Sequence, residues 1–223
     1  MSFSESEENL PGNRPNYDLD FEKAAQTGDI KRIVDILATG ADVDGTGNLA
    51  LTPLMQAIWS EQYKAAKLLI DRGADVHRTD IAGYNCFSIA AEKKDPAYLE
   101  LLFNHCDKSC LDFSTEHNPL FIAAKANHAR HVQACIKAGI DINAKDDSNW
   151  TPLHHAFLNN AHDVMKVLFE ANVKIPPYFQ AFAGLINKDE TYDMIIRHLE
   201  KRTAQQTVRM SRLKRIKTPG FRA

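Results

Sequence analysis

The chain has 223 residues, of which 44% are hydrophobic and 25% are charged, so it can bury a core in one or two domains. The formal net charge of −2 predicts neither a strongly basic nucleic-acid binder nor an unusually acidic protein. No apolar run approaches the roughly 20 residues that a membrane-spanning helix needs, and the first residues lack the basic and apolar regions of a secretory signal. Four cysteines in unrelated contexts favour reduced thiols, so we expect a cytoplasmic protein.

The first segment, residues 1–17, is polar and acidic and includes Pro11, Gly12 and Pro15. Such a composition cannot bury enough apolar surface to offset the entropy of ordering the chain. We predict that this segment is disordered and that the folded domain covers residues 18–202.

A repeat of 33 residues organises the domain, with copies that start near residues 19, 52, 85, 118 and 151. Each copy contains two apolar segments with helical spacing and then a turn. The turn column, without insertion or deletion, consists of Gly40, Gly73, Cys106, Gly139 and Asn172. One unit cannot bury its apolar face alone, so the pattern predicts stacked units that share a core.

Each unit is predicted to contain a helix, a short turn, a second helix and a closing turn. In the last copy Thr151 can cap the first helix, and Pro152 suits the first helical position, which needs no N–H donor. Glycine tolerates a positive φ in the closing turn, and Asn172 is the next best residue there. Cys106 does not fit this column, so either it is strained or its turn has another conformation.

The repeats resemble the ankyrin repeat. Thr-Pro-Leu-His is complete at 151–154 and partial at 52–55 and 118–121, and Gly-Ala-Asp-Val occurs at 40–43 and 73–76. The resemblance implies an all-α solenoid of stacked helix-turn-helix units with short β-hairpin fingers, and a concave groove formed by the fingers and the first helices. After the fifth copy the register changes, and a helix pair over residues 178–202 is predicted to cap the array.

No catalytic or metal-binding motif is present. The chain lacks a phosphate-binding loop, a His-Glu-x-x-His motif and a Gly-x-Ser-x-Gly nucleophile turn. The best cluster is His105, Cys106, Cys110 and His117, but it lacks the second matched pair of a zinc site, so an irregular finger is favoured. His154 matches the ankyrin histidine, which hydrogen-bonds locally. We therefore predict no enzyme activity, no metal and no cofactor.

Partner contacts are expected in the columns that point away from the stack. Trp59, Tyr84 and Trp150 are aromatic where the scaffold needs no aromatic, and Trp and Tyr dominate interface hot spots. The alternative is that each of them packs on a neighbouring finger. The full set of candidate partner-binding residues is Trp59, Ser60, Ile81, Tyr84, Glu92, Lys93, His117, Lys125, Lys145, Asp147, Trp150, Leu158 and Asn159.

A basic tail covers residues 203–223. Lys214, Arg215 and Lys217 fit the core of a nuclear import signal, with Lys201 and Arg202 placed as in its bipartite form. Two other interpretations stay open. The tail can be a basic amphipathic segment for an acidic partner or an anionic membrane surface, or a solvated terminus that aids solubility.

These patterns together predict a non-catalytic adaptor or scaffold that binds a partner protein through its concave face. We expect a monomer that does not contact nucleic acid through the repeats, in the cytoplasm or, through importin, in the nucleus. The alternatives are an inhibitor or immunity-type protein that masks the active site of a partner enzyme, and a nuclear regulatory protein that uses the basic tail.

Overall fold

A computed structural model describes residues 17–46, 48–106, 113, 117–176, 179, 193, 195–201 and 204. Several predictions fall outside these residues and stay predictions: the disordered first segment before residue 17, most of the capping pair 178–202, and nearly all of the basic tail. Cys110 and four residues of the proposed import signal, Arg202, Lys214, Arg215 and Lys217, also lie outside them.

Ten α-helices and one short 3-10 helix form in the described part of the chain. The α-helices are α1 Tyr17–Thr27, α2 Ile30–Ala38, α3 Pro53–Trp59, α4 Tyr63–Asp71, α5 Cys86–Glu92, α6 Ala97–Asn104, α7 Pro119–Lys125, α8 Ala129–Ala138, α9 Pro152–Leu158 and α10 His162–Glu170, and the 3-10 helix is Asn48–Ala50. They fall into five consecutive pairs, one pair for each predicted repeat. Residues 195–201 are also helical.

The helices stack in two layers. The first helices of the pairs, α1, α3, α5, α7 and α9, contact one another in chain order and form an inner layer. Each packs against the second helix of its own pair, and in the outer layer α2 contacts α4, while α6 and α10 both contact α8. This is the predicted all-α repeat solenoid, with a core that runs along the stack rather than within one unit.

The inner helices begin where the repeat predicts. Thr52 Oγ1 accepts a hydrogen bond from Met55 N at 3.2 Å, which satisfies an amide that the first turn leaves free. In the last copy Thr151 N donates to His154 Nδ1 at 3.0 Å, so His154 does form the predicted local hydrogen bond. The prolines at the first helical position are Pro53, Pro119 and Pro152.

The closing turns confirm the glycine column and resolve its exception. Asn172 has a φ of 61°, and the glycines have a positive φ at Gly40, Gly73 and Gly139. Cys106 is absent from the residues with a positive φ, so its turn has another conformation and the cysteine is not strained. A second column of left-handed residues, between the two helices of a pair, was not predicted and consists of Gly28, Glu61, Asn127 and Asn160.

Small residues allow the inner helices to approach closely. Each inner helix except α3 and α9 carries a buried alanine pair, at Ala24–Ala25, Ala90–Ala91 and Ala123–Ala124. Larger side chains fill the space between the two layers, among them Phe21, Phe87, Ile33 and Leu69. The apolar surface that these residues remove from water is shared between adjacent units, which explains why the core is continuous.

The fingers are loops in the residues that the structure describes, where no β-strand occurs, so the predicted β-hairpins are not confirmed. Two loops, residues 80–84 and 146–150, are each closed by a backbone hydrogen bond between their end residues. Asp80 N donates to Tyr84 O, and Asp146 N donates to Trp150 O, both at 2.9 Å. A second backbone bond closes a turn within each loop, from Gly83 N to Asp80 O at 3.0 Å and from Asn149 N to Asp146 O at 2.8 Å, and these bonds do not form a strand ladder.

Side chains also connect neighbouring fingers across one repeat. Asp44 Oδ1 accepts a hydrogen bond from Asp75 N at 3.0 Å, and Asn143 Oδ1 accepts one from Lys174 N at 2.8 Å. These bonds join successive units through their loops as well as through the core. Among the described helices, none is long and apolar enough to cross a membrane.

Candidate binding face

The thirteen predicted partner-binding residues lie at the ends of the inner helices and in the fingers. We call this surface the inner face. All thirteen are at least partly exposed. The most exposed apolar members, with their exposed fractions, are Ile81 72%, Trp59 53%, Leu158 48% and Trp150 41%. Large apolar side chains left in water are available for contact with another molecule.

Trp59 is the last residue of α3, and a lysine of the next unit lies over it. Lys93 Nζ is 4.6 Å from the centre of the indole ring, and the same nitrogen donates to the Trp59 carbonyl oxygen at 2.5 Å. The cation is attracted to the face of the ring, and the hydrogen bond holds it there. The orientation of Trp59 is therefore constrained before any partner binds.

Trp150 lies in the second finger loop, whose conformation depends on one carboxylate. Asp146 Oδ1 accepts hydrogen bonds from Ser148 N at 3.0 Å and from Trp150 N at 2.8 Å. Asp80 makes the same pair of bonds in the first loop, to Ala82 N at 2.8 Å and Tyr84 N at 2.9 Å. Together with the backbone bond that closes each loop, we call this arrangement the aspartate clasp. It is an Asx-turn extended by one bond.

Asp146 differs from Asp80 because it also holds a histidine. Asp146 Oδ2 lies 2.7 Å from His155 Nε2, and the side chains of both residues are mostly buried. The Trp150 ring centre is 5.6 Å from that of His155 and 6.4 Å from that of His154, to which it is nearly parallel at 13°. The indole thus rests on two histidines of α9, the helix that directly follows its loop.

Tyr84 is placed differently from the two tryptophans. Its ring packs against His117 of the next finger, with ring centres 4.7 Å apart. The preceding residue, Gly83, has a φ of 85°, and a Cβ there would lie 2.7 Å from His117 Nε2. Tyr84 thus packs on its neighbouring finger while part of its surface stays exposed, and Gly83 is required because His117 occupies that space.

The titratable groups beneath Trp150 are perturbed. Burial acts to raise the pKa of Asp146, but hydrogen bonds from the Trp150 amide and from His155, with smaller contributions, lower it below its ordinary value. Burial, followed by the nearby His155, lowers the pKa of His154 below its ordinary value. Asp146 therefore stays ionised, and the clasp stays closed, at mildly acidic pH.

Hydroxyl, imidazole and carboxylate groups occur together here but do not form a catalytic triad. Thr151 Oγ1 lies 2.8 Å from His154 Nδ1, whereas the carboxylate of Asp146 holds the other histidine, His155. A nucleophile needs a base that the acid orients, and here the hydroxyl and the acid contact different rings. Thr151 is also only 6% exposed, so a substrate cannot reach it.

Metal-binding and reactive-thiol chemistry find little support in the described residues. No three His, Cys, Asp or Glu side chains among them are grouped to hold a metal ion. The Cys106 Sγ atom lies 3.7 Å from His77 Nε2. Cys86 and Cys135 are buried, and burial raises the pKa of both thiols, so the fraction present as reactive thiolate is small.

Three residues that shape this face were missed by the sequence analysis: Asp80, Asp146 and Gly83. A signal was available, because each aspartate stands four residues before the aromatic residue of its finger, at positions two repeats apart. Asp and Asn favour turns in which their side chain bonds the backbone two residues later. The exposed ends of the inner helices, in contrast, were predicted from the repeat alone.

Comparison with known proteins gives two matches to protein-family models. The model described as "Ankyrin repeats (3 copies)" matches residues 87–177, and the one described as "Ankyrin repeat" matches residues 51–81. Together they cover more than half of the chain. Their limits agree with the repeat register, since the second match starts beside the predicted repeat start at residue 52.

Several relatives with ankyrin repeats are similar to this chain. YahD of Escherichia coli (strain K12) is 28% identical over 148 residues, which cover 65% of this chain and 73% of the relative. FPV034 of fowlpox virus is 25% identical, over 55% of this chain and 29% of that protein. The mouse B-cell lymphoma 3 protein homolog is 27% identical, over 67% of this chain and 35% of that protein. The chain spans only about a third of the length of the latter two relatives.

Proposed function

Because the chain belongs to the ankyrin-repeat protein family, whose repeats are generally protein–protein interaction modules, we propose that it is a non-catalytic adaptor. In this proposal a partner protein binds the inner face. The observation that carries it is the exposure of Trp59 and Trp150, at 53% and 41%. Neither indole is needed by the helix pairs, since the other copies carry other residue types in the same columns.

The support beneath each tryptophan favours recognition. A side chain that is already oriented loses less conformational entropy when a partner immobilises it. Lys93 orients Trp59, and the aspartate clasp orients Trp150. Large, preorganised aromatic side chains of this kind carry much of the binding energy in protein interfaces.

The non-catalytic part of the proposal rests on the site chemistry. In the part of the chain that the structure describes, the arrangement around Trp150 that resembles a catalytic group divides its hydroxyl and carboxylate between His154 and His155. The role of the carboxylate is to fix the loop and the ring below the indole. The polar groups that could perform chemistry are therefore occupied in holding a binding surface.

The experiment is affinity capture with the wild type and a Trp59→Ala/Trp150→Ala variant. We expect the variant to lose most of its partner, with an unchanged far-UV circular dichroism spectrum. Tyr63→Ala is the matched control, because Tyr63 is 41% exposed but lies on the outer helix α4. Equal capture by the wild type and the double variant would refute the proposal.

The inhibitor alternative uses the same face and makes one different prediction. An adaptor leaves the activity of a bound enzyme unchanged, whereas an inhibitor abolishes it by covering the active site. Activity of the captured partner, measured with increasing amounts of this protein, separates the two functions. Size-exclusion chromatography with light scattering tests the accompanying expectation of a monomer.

We also propose that the basic residues at the end of the chain direct it to the nucleus. Lys201 is helical and exposed, and the other four members of the proposed signal are Arg202, Lys214, Arg215 and Lys217. A fluorescent fusion should shift to the cytoplasm when Lys214, Arg215 and Lys217 are changed to alanine. An unchanged distribution would leave the interpretations of an acidic partner, an anionic membrane surface or a solvated terminus.

A further inference from the structure

The last residues of four successive inner helices form a row across the inner face. α3 ends at Trp59, α5 at Glu92, α7 at Lys125 and α9 at Leu158, each 33 residues after the one before. All four side chains are exposed. We call them the terminal row. Read in order they are apolar, acidic, basic and apolar.

The two charges of the terminal row are not compensated within the described part of the protein. Neither Glu92 nor Lys125 belongs to any of its ion pairs, although exposed charges elsewhere do pair, such as Lys67 with Asp71 at 2.8 Å. The neighbouring Lys93 cannot neutralise Glu92 from its observed position, because its ammonium group lies over Trp59 and bonds the carbonyl there. Both charges are therefore open to an external group.

Helix energetics do not explain Glu92. The C-terminal end of a helix carries a partial negative charge, which favours a cation there and disfavours an anion. Lys125 at the end of α7 satisfies this preference, whereas Glu92 at the end of α5 opposes it. A carboxylate at this position is unfavourable for the helix and is available for recognition.

The stacking of the inner helices determines the distances along the row. Packed helices lie about 8–10 Å apart, so Glu92 and Lys125, on adjacent helices, are separated by about one such step. Trp59 and Leu158 are three steps apart, or roughly 25–30 Å. An extended peptide covers one step in about three residues, and a helical one in about six, from their rises per residue.

We propose that the terminal row reads a polypeptide segment of the partner with the reverse charge order: an apolar side chain for Trp59, a basic one for Glu92, an acidic one for Lys125 and an apolar one for Leu158. This inference rests on the adaptor function proposed above and adds the chemistry of the bound segment. The apolar ends supply contact area, and the charges determine which segments fit, since charged groups contribute more to specificity than to affinity.

The test exchanges the two charges without changing composition. Glu92→Lys/Lys125→Glu has the same net charge as the wild type. Peptides that bind the wild type are selected from a random 16-residue library displayed on phage. We expect the selected peptides to carry one basic and one acidic residue at a preferred spacing. Exchanging those two residues within a peptide should weaken its binding to the wild type about three- to tenfold and restore binding to the charge-exchanged protein.

Controls separate this inference from the adaptor function. Lys67→Asp/Asp71→Lys makes an equivalent exchange on α4, and it should bind the selected peptides as the wild type does. The inference is overturned if no peptide is selected, if Trp59→Ala leaves peptide binding unchanged, or if both charge orders bind the wild type equally. Peptides whose binding requires Trp59 but does not depend on the charge order would leave the adaptor function intact. They would reject only the proposal that Glu92 and Lys125 select the charge order of the bound segment.

Discussion

The two exposed tryptophans are held in opposite ways. Trp59 is held by Lys93, which belongs to the next unit. Trp150 is held locally, by Asp146 at the base of its loop and by the rings of His154 and His155 on the helix that directly follows. One binding residue therefore depends on the stacking of two units, whereas the other depends on a local loop. In a repeat protein these two kinds of support respond to different perturbations.

The largest predicted effect is that acid destabilises the protein at a buried histidine beside the support of Trp59. His131, on α8, is 1% exposed, and its Nε2 atom has no hydrogen-bond partner. Burial, and then the neighbouring His128, lower the pKa of His131 from 6.5 to about 4. The backbone of Lys93 lies beside this ring, so strain at His131 is close to the residue that covers Trp59.

The direction in which the stability of the fold changes with pH follows from the protonation of His131 in the folded and the unfolded chain. The unfolded chain takes up a proton on His131 near pH 6.5, but the folded chain resists protonation until about pH 4. Stability is therefore complete above pH 6.5 and falls by up to about 3 kcal/mol as the pH drops to 4. The bonds of the Asp146 carboxylate persist in this window, because hydrogen bonds lower the pKa of Asp146. Burial also lowers the pKa of His154 beneath Trp150, so protonation of that ring adds to the loss of stability on the Trp150 side.

Urea unfolding at pH 7.0 and 4.5 measures this loss, and the indole N–H signals of the two tryptophans show where it occurs. We expect the Trp59 signal to broaden more in the wild type than in a His131→Gln variant. His131→Gln cannot titrate, so its stability should change less over the same interval. Parallel pH profiles for the wild type and His131→Gln would contradict the prediction.

The second prediction removes the support of Trp150. Asp146→Ala deletes the acceptor for two backbone amides and leaves the mostly buried His155 without its carboxylate. We expect a loss of about 2 kcal/mol in the free energy of unfolding, together with a shift of the Trp150 indole signal. The Trp59 signal should not move.

Asp80→Ala is the matched control for this change. Asp80 makes the same two amide bonds but holds no histidine, because the residue equivalent to His155 is the buried Ile89. Its loss should cost about 1 kcal/mol. Equal losses for the two variants would show that the bond between Asp146 and His155 does not stabilise the fold.

The smallest expected effect comes from Lys93→Met, which keeps the length of the side chain and removes its charge. The exposed cation–π contact contributes about 0.5 kcal/mol to stability. The sharper measurement is the fluorescence of Trp59, recorded in a Trp150→Phe background so that a single indole is observed. We expect an altered emission maximum and faster quenching by iodide. Unchanged quenching would mean that Lys93 does not cover the ring.

The sequence predicted the scaffold better than the details of the binding face. The repeat of 33 residues was sufficient for the helix pairs and the left-handed Asn172, because each depends on residues a few positions apart in one unit. Tyr84 and Trp150 were equivalent in that analysis, since they occupy one column. The structure separates them by contacts between units: Tyr84 packs on His117, which the repeat spacing alone does not reveal.

The fingers also differ from what the sequence predicted. A β-hairpin was implied by family resemblance, but in the described loops the aspartate side chain takes the place of a strand partner. The sequence identified Cys106 as an exception in the turn column. Only the backbone angles could decide whether this cysteine is strained or its turn has another conformation. Local chemistry explains both outcomes, although the repeat pattern does not.

The aspartate clasp also makes the finger a transferable cassette. Loops 80–84 and 146–150 have the same length and the same closing bonds, and both place a left-handed residue just before the aromatic one, at Gly83 and Asn149. Their tips, such as Ile81 and Asp147, are exposed. Protein engineers could therefore vary the two tip residues between the aspartate and the left-handed position as interchangeable inserts, because the framework that holds them is built from the ends of the loop.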